Sequence, residues 1–237
     1  MSSDRLYLRQ LLSGRDFAAD DPIAQQMVNF VYAIGDRQTN ECVLVDPAYA
    51  VNELLDIVEG DGMRVTGVLA THFHADHIGG NLMGHQLEGV ATLLERCSCP
   101  VHVHRDETPW VTRTSGLTVD QLVQHAGGDT LQVGDITITL VHTPGHTPGS
   151  QCFHVDGALI SGDTLFLDGC GRTDFPGSDP AAMYDSLQML AAMPHSTVVY
   201  PGHHYSPPNS ATIDEIHANN YVYRPASKEQ WLAMFGS

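Results

Sequence analysis

Four short polar motifs, each at the end of an apolar run, constrain this chain more than any other feature. The first, Thr71-His72-Phe73-His74-Ala75-Asp76-His77, holds three imidazoles and a carboxylate within seven residues. It follows the run at residues 65–70 (VTGVLA), which reads as a buried strand, so the cluster sits where a strand opens into a loop or helix. His146 lies in the turn at 142–149 (HTPGHTPG). Asp163 follows the run at 158–161, and His203 follows the run at 198–200, each after a glycine. Polar groups placed repeatedly at strand ends are how a sheet protein builds a site on a rigid scaffold. On an extended backbone His72 and His74 project to one side. Asp76 and His77 come from the following turn and can face a second ion beside the first. Nitrogen and carboxylate donors suit Zn²⁺, Fe²⁺ or Mn²⁺, and the motif suits two adjacent metals better than one.

The remaining pattern alternates strands and helices. Residues 27–35 and 41–45 read as a hairpin, 51–58 as a helix, 65–71 as a strand, 84–96 as a helix and 101–104 as a strand. Residues 118–125 read as a further helix. Residues 131–142 then give two strands about a Gly-Asp turn, and 151–155 with 158–161 form another hairpin. Residues 180–193 are amphipathic and helical, with Asp179 as the N-cap. A strand at 197–200 and helices at 213–220 and 228–235 complete the chain. Strands, helix and strand, twice over, fit two sheets between outer helices.

At 237 residues, with no low-complexity linker, the chain reads as one domain, 1–237. Its formal charge of −17 repels nucleic acid and disfavours a nuclease. No apolar run approaches the roughly 20 residues that span a bilayer. Residues 1–21 lack a basic start followed by an apolar core, so no secretory signal is expected and the cytoplasm is the default. Five cysteines (Cys42, Cys97, Cys99, Cys152 and Cys170) form an odd set in a chain without an export signal, and read as free thiols. Of the fourteen histidines, His102 and His104 read as ordinary strand residues. His142 reads as support for the His146 turn.

The order HxHxDH, PGH, GD, PGH resembles the metallo-β-lactamase-fold superfamily over nearly the whole chain. The resemblance implies an α/β fold, an αββα sandwich of two mixed sheets flanked by helices. It implies His72, His74 and His146 around metal 1, with Asp76, His77 and His203 around metal 2. Asp163 would bridge the two. Asp46, which ends the strand at 41–45, would orient ligands from behind. Two divalent ions, zinc foremost, are the implied cofactors.

Within that superfamily the chain resembles hydroxyacylglutathione hydrolase (glyoxalase II) through HxHxDH, Gly169-Cys170-Gly171-Arg172 and Gly202-His203-His204-Tyr205. That resemblance implies hydrolysis of a thioester of a small-molecule thiol such as glutathione. Arg172 and Tyr205 would contact the substrate, and Asp76 would orient the hydroxide or accept its proton. Only residues 204–237 follow His203, which matches the shorter bacterial relatives rather than those with a long helical C-terminal domain. The string at 169–175 (GCGRTDF) also resembles persulfide dioxygenase. That family binds a single Fe²⁺, here through His146, Asp163 and one of His72 and His74. Its fourth motif typically reads PAHDY, against PGHHY here, so the hydrolase is the preferred reading and persulfide oxidation the alternative.

Overall fold

Side-chain alternation along the first strands sorts residues into layers. β1 (Leu6–Leu12), the one-and-a-half-turn helix α1 (Pro22–Met27), β2 (Phe30–Asp36) and β3 (Glu41–Val45) open the chain, and the three strands form an antiparallel meander. On β3, Val43 and Val45 join an inner core with Tyr32 and Ile34, whereas Cys42 and Leu44 face the other way with Ala33. A strand buried on both faces belongs to a central layer. The computed structural model describes residues 4–236, so Met1–Ser3 and Ser237, part of the expected 1–237 unit, lie outside the described residues.

Helix α2 (Val51–Gly60) crosses to β4 (Arg64–Leu69), which pairs in parallel with β3. After β4 come α3 (Ala75–Ile78), a small hairpin of β5 (Gly80–Leu82) and β6 (His85–Leu87), α4 (Val90–Arg96), β7 (Val101–His104), α5 (Thr108–Ser115) and β8 (Leu122–His125). The first sheet has the order β1-β2-β3-β4-β7-β8. The second half supplies β9 (Thr130–Val133), β10 (Ile136–His142), β11 (Gln151–Val155), β12 (Ala158–Gly162), α6 (Pro180–Ala191), β13 (Val198–Pro201), β14 (Ala211–Thr212), α7 (Ile213–Asn219) and α8 (Lys228–Phe235). Its sheet is ordered β14-β13-β12-β11-β10-β9. Both sheets mix parallel and antiparallel pairs.

Between the sheets, Phe30, Ile34, Val45 and Leu69 meet Ile138, Leu140, Phe153 and Ile160. Outside the first sheet, Leu55 and Val58 of α2, Leu93 of α4 and Val111 of α5 form a second core. Outside the second sheet, Met183 and Leu187 of α6, Ile216 of α7 and Trp231 of α8 form a third. The result is the αββα sandwich. Each large apolar side chain moved from water into these layers contributes about 1.5–3 kcal/mol. Among the described residues all five cysteines are free, and no helix is long and apolar enough to cross a membrane.

Two expected helices fold otherwise. Residues 84–96 begin as the β5–β6 hairpin, whose tight turn is made by Met83 and Gly84, both at positive φ (50° and 91°). A helix starts only at Val90, after an extended Gly89 packed so closely on Ile78 that a Cβ there would overlap its carbonyl. Residues 118–125 hold a single 3₁₀ turn, capped by Thr118 and Gln121, before becoming β8. Parallel pairing with β7 across four residues outweighs the local helical spacing. The strand β1 and the helices α1 and α5 had no counterpart in the sequence reading. For α1 and α5 the punctuation was present: Asp21 caps Ile23 and Ala24 ahead of Pro22, and α5 has Pro109 in its first turn and Gly116 in the left-handed conformation at its end.

The ends of β4, β12 and β13 meet at one edge of the sandwich, where main-chain bonds join its two halves. Gln151 donates its N–H to the Thr71 carbonyl (3.0 Å), Phe30 to Gly202 (2.8 Å) and His204 to Val28 (2.9 Å). Gly202 also donates to Gly162 (2.8 Å). All four motifs converge at this edge.

Candidate metal centre

His72 and His74 leave β4 through the extended turn that leads into α3. His146 arrives on the turn after β10. Helix α6 holds that turn in place: Ser186 Oγ donates to the Pro144 carbonyl (2.7 Å), and Asp179 N to the Gly145 carbonyl (2.8 Å). Gly145 sits at φ 144°, and any Cβ there would overlap Met183 of α6. The three imidazoles meet nitrogen to nitrogen. His74 Nδ1 is 3.1 Å from His72 Nε2 and 3.0 Å from His146 Nε2.

Their hydrogen-bond partners fix which nitrogens carry protons. His146 Nδ1 donates to the Arg172 carbonyl (2.7 Å). His72 Nδ1 donates to Thr71 Oγ1 (3.0 Å), which itself donates to Asp46 Oδ2 (2.5 Å). Each Nε2 therefore presents a lone pair to the shared space. A proton on His74 Nδ1 serves only one of these lone pairs at a time, whereas a cation between them accepts from all three nitrogens. Two nitrogens bound tetrahedrally to one zinc stand about 3.3 Å apart, close to the observed separations.

The second group is Asp76, His77 and His203. His77 Nε2 lies 3.3 Å from His203 Nε2, and Asp76 Oδ2 is 3.5 Å from each. Again the far nitrogens are held: His77 Nδ1 by Asp46 Oδ2 (2.9 Å) and His203 Nδ1 by the Met27 carbonyl (2.8 Å). Asp46, in the left-handed conformation at φ 52°, also accepts the Thr71 N–H (2.7 Å), so one carboxylate orients His77 directly and His72 through a hydroxyl. The neighbouring His204 turns away and packs edge-on against Phe30.

Asp163 lies between the groups. Its Oδ1 is 3.4 Å from His77 Nε2, and its Oδ2 is 3.3 Å from His203 Nε2 and 3.7 Å from His146 Nε2. Oδ1 is buried without a hydrogen-bond donor. A Cβ on Gly202 would overlap this carboxylate, which explains the glycine before His203. A buried carboxylate with one oxygen orphaned and the other facing imidazoles of both groups fits a bridging metal ligand.

The two groups differ electrostatically. Burial pushes His72 and His146 below the ordinary imidazole value and His74 down to about 4. Burial opposes charge on His77 as well, but Asp76, Asp163 and Asp46 override it and raise His77 to about 10. Asp163 in turn is held well below the carboxylate range: burial would raise it, and the His203 and His77 charges prevail.

Arg172 and Tyr205 stand at the rim. Arg172 is mostly exposed and forms a two-pronged ion pair with Asp174 (2.9 and 2.6 Å), its guanidinium 4.5 Å over the Phe175 ring. Its backbone carbonyl, rather than its charge, touches the cluster. Tyr205 stacks on His203, ring centroids 4.7 Å apart and planes 6° apart.

Three contributors escaped the sequence reading. Asn29 Nδ2 donates to Asp76 Oδ2 (3.1 Å) and faces His77 Nε2 (3.3 Å), and its amide is oriented by a bond from Tyr49 OH to Oδ1 (2.9 Å). Asn29 lies within the segment expected as a strand at 27–35, and Tyr49 and Glu107 lie between the expected elements, in no motif. Glu107, 1 % exposed, accepts bonds on Oε1 from Thr147 Oγ1 and Gly149 N, beside the His146 turn. Its Oε2 has no partner, and burial pushes its carboxyl up to about 7.

A family model, the metallo-beta-lactamase superfamily, matches residues 26–203. The chain belongs to that superfamily. Its curated relatives include a hydroxyacylglutathione hydrolase of Rhodospirillum rubrum, 36% identical over 203 residues (85% of this chain and 72% of the relative). One of Aeromonas salmonicida is 36% identical over 183 residues, 75% of this chain. The chain spans 62% of the length of that Aeromonas relative. Among solved structures of the superfamily, ETHE1 from Myxococcus xanthus superposes with a TM-score of 0.79 at 29% identity, covering 98% of this chain and 90% of its own. Residues 26–203 run from just before β2 to the last of the four motifs, so the superfamily match spans every candidate ligand.

Proposed function

We propose that this chain is a metal-dependent hydrolase of a thioester carried by a small-molecule thiol such as glutathione. The observation that carries the reading is the placement of Asp163, with its unpartnered Oδ1, between two groups of inward-facing imidazoles. The relatives named hydroxyacylglutathione hydrolase support the substrate class. We assign His72, His74 and His146 to one divalent ion and Asp76, His77 and His203 to a second, with Asp163 bridging and Asp46 orienting His72 and His77. Zinc suits this nitrogen-rich donor set best, and iron or manganese would also bind. Once held there, such ions supply a Lewis acid for the thioester carbonyl and bring the pKa of water toward neutrality.

The chain's own residues supply the rest. Asp76, fixed by Asn29, orients the attacking water and accepts its proton. The leaving thiolate is stable near neutral pH, so no strong general acid is required. Tyr205 and Arg172 flank the opening and contact the carrier. The −17 formal charge argues against a nucleic-acid substrate. We place the whole chain, 1–237, in one domain, and the five free thiols suit the cytoplasm. The test is thioester hydrolysis by protein whose metal content has been measured, with S-lactoylglutathione as the first substrate. Turnover lost on chelation and restored by zinc supports the reading. No turnover of any thioester by fully loaded protein removes it.

The likeness to ETHE1 over 98% of the chain favours one alternative, oxidation of a persulfide at a single iron. Oxygen consumption by iron-loaded protein supplied with glutathione persulfide decides between them. Stoichiometric uptake replaces the hydrolase, and none, with iron bound, removes the oxidation.

A further inference from the structure

The opening over the first imidazole group is bordered by aromatic rings that the metal centre does not use. Phe73, between the two histidines of its motif, sets an edge against His74 (centroids 4.6 Å apart) and stacks on Trp110 of α5 (4.9 Å, planes 19° apart). Phe175 meets His74 from the loop after β12 (5.3 Å) and His146 (6.0 Å). The turn that follows Phe175 packs on the same tryptophan, with Gly177 so close that a Cβ would lie 3.1 Å from Trp110. Phe73, Trp110 and Phe175 thus come from three separate segments onto one border, and each is only partly buried.

Two cations sit against this border. Arg113 lies 5.3 Å from the Trp110 ring and Arg172 lies 4.5 Å from the Phe175 ring. In a chain with 11 basic and 28 acidic side chains, Arg113 favours an anionic molecule that also carries a flat apolar group, whereas the charge of Arg172 is already matched by Asp174. The side with His203 offers Tyr205 instead, a ring with a hydroxyl. The surroundings of the centre are therefore asymmetric, with three partly exposed rings near His74 and, near His203, Tyr205 backed by the buried Phe166.

We infer that Phe73, Trp110 and Phe175 form the acyl subsite, and that it selects thioesters whose acyl group is aromatic over those with small hydroxylated acyl groups. This rests on the hydrolase reading above for its chemistry, but not for its binding test. A flat ring entering beside Phe73 and Trp110 displaces water from the parts of these rings that their mutual stacking leaves exposed. A lactoyl group leaves them wet.

The test uses binding and turnover separately. The probes are S-benzylglutathione and S-methylglutathione, thioethers that cannot be hydrolysed, titrated into zinc-loaded protein by calorimetry. The expected result is at least about tenfold tighter binding of the benzyl compound. That preference should fall below about threefold in Trp110→Ala and in Phe175→Leu, with zinc content unchanged. Equal affinities in the wild type, or a preference that survives both substitutions, overturn the subsite. Turnover of S-phenylacetylglutathione against S-lactoylglutathione is then compared. Turnover of both without an aryl preference also overturns it. A benzyl preference with no turnover of either thioester counts against the hydrolase reading and leaves the aryl-selective wall standing.

Discussion

The two halves of the candidate metal centre, three imidazoles in one and two imidazoles with a carboxylate in the other, hold different charge. His72, His74 and His146 are imidazoles that burial keeps neutral, with their lone pairs already aimed inward. His77 and His203 face Asp76 and Asp163, and without a metal they hold protons that partly balance the carboxylates. The first group is a receptor ready for a cation. The second must release protons before a cation can enter. The carboxylates, Asp76 within the second group and Asp163 and Asp46 beside it, set the condition under which each half loads.

The largest effect should come from removing the group the halves share. Asp163→Ala is expected to lose both ions and to reduce activity by about a thousandfold or more. Metal analysis after dialysis checks it, and two retained ions would end the bridging assignment. Next in size is the pH dependence of loading. Zinc binding at the second group should weaken as pH falls below the value of about 10 held by His77, because protons compete for Nε2. Zinc binding at the first group should stay nearly flat down to the value of about 4 held by His74. Chelator competition between pH 6 and 9 measures both, and equal slopes would erase the distinction.

The same contrast governs the stability of chelator-treated protein. His77 has a raised value, so its stabilisation is complete below pH 6.5 and is lost as pH rises through about 10. His74 has a lowered value, so its stabilisation is complete above pH 6.5 and is lost as pH falls through about 4. Urea melts of that protein should therefore show these two contributions together only near pH 6.5. A smaller effect tests the frame of the first group alone. Glu107→Ala leaves the donors of Thr147 and Gly149 without their acceptor, a loss of about 1–3 kcal/mol. It should also loosen zinc held by His146. Glu107→Gln keeps an acceptor oxygen and should restore most of both, as melting and metal content would show. The smallest change is at the rim: Arg172→Ala should raise KM a few-fold with metal content intact, and unaltered kinetics would restrict Arg172 to its ion pair with Asp174.

What could be read from sequence was whatever is written in one short segment. The cluster at 71–77, the two Pro-Gly-His turns and the Asp179 cap are local, and each lies on the residues where the pattern put it. What escaped depends on partners far along the chain. Asn29 meets Asp76 across 47 positions, and Glu107 meets Thr147 across 40. No local spacing announces either pair. The β8 segment failed for the same reason, since its conformation is set by the strand it joins. The Met83-Gly84 turn failed for another: a methionine at positive φ carries no sequence signal.

The seam at the site edge, where Thr71, Gln151, Phe30, Gly202, Val28 and His204 exchange main-chain bonds, has a consequence for how such a centre can change over time. Every bond in it is made by peptide groups, which substitution leaves in place. Side chains of the centre can therefore be exchanged while the loops that present them keep their positions. The frame is inherited separately from the chemistry it displays. A structure of the Asp163→Ala variant would show the seam intact around an altered centre.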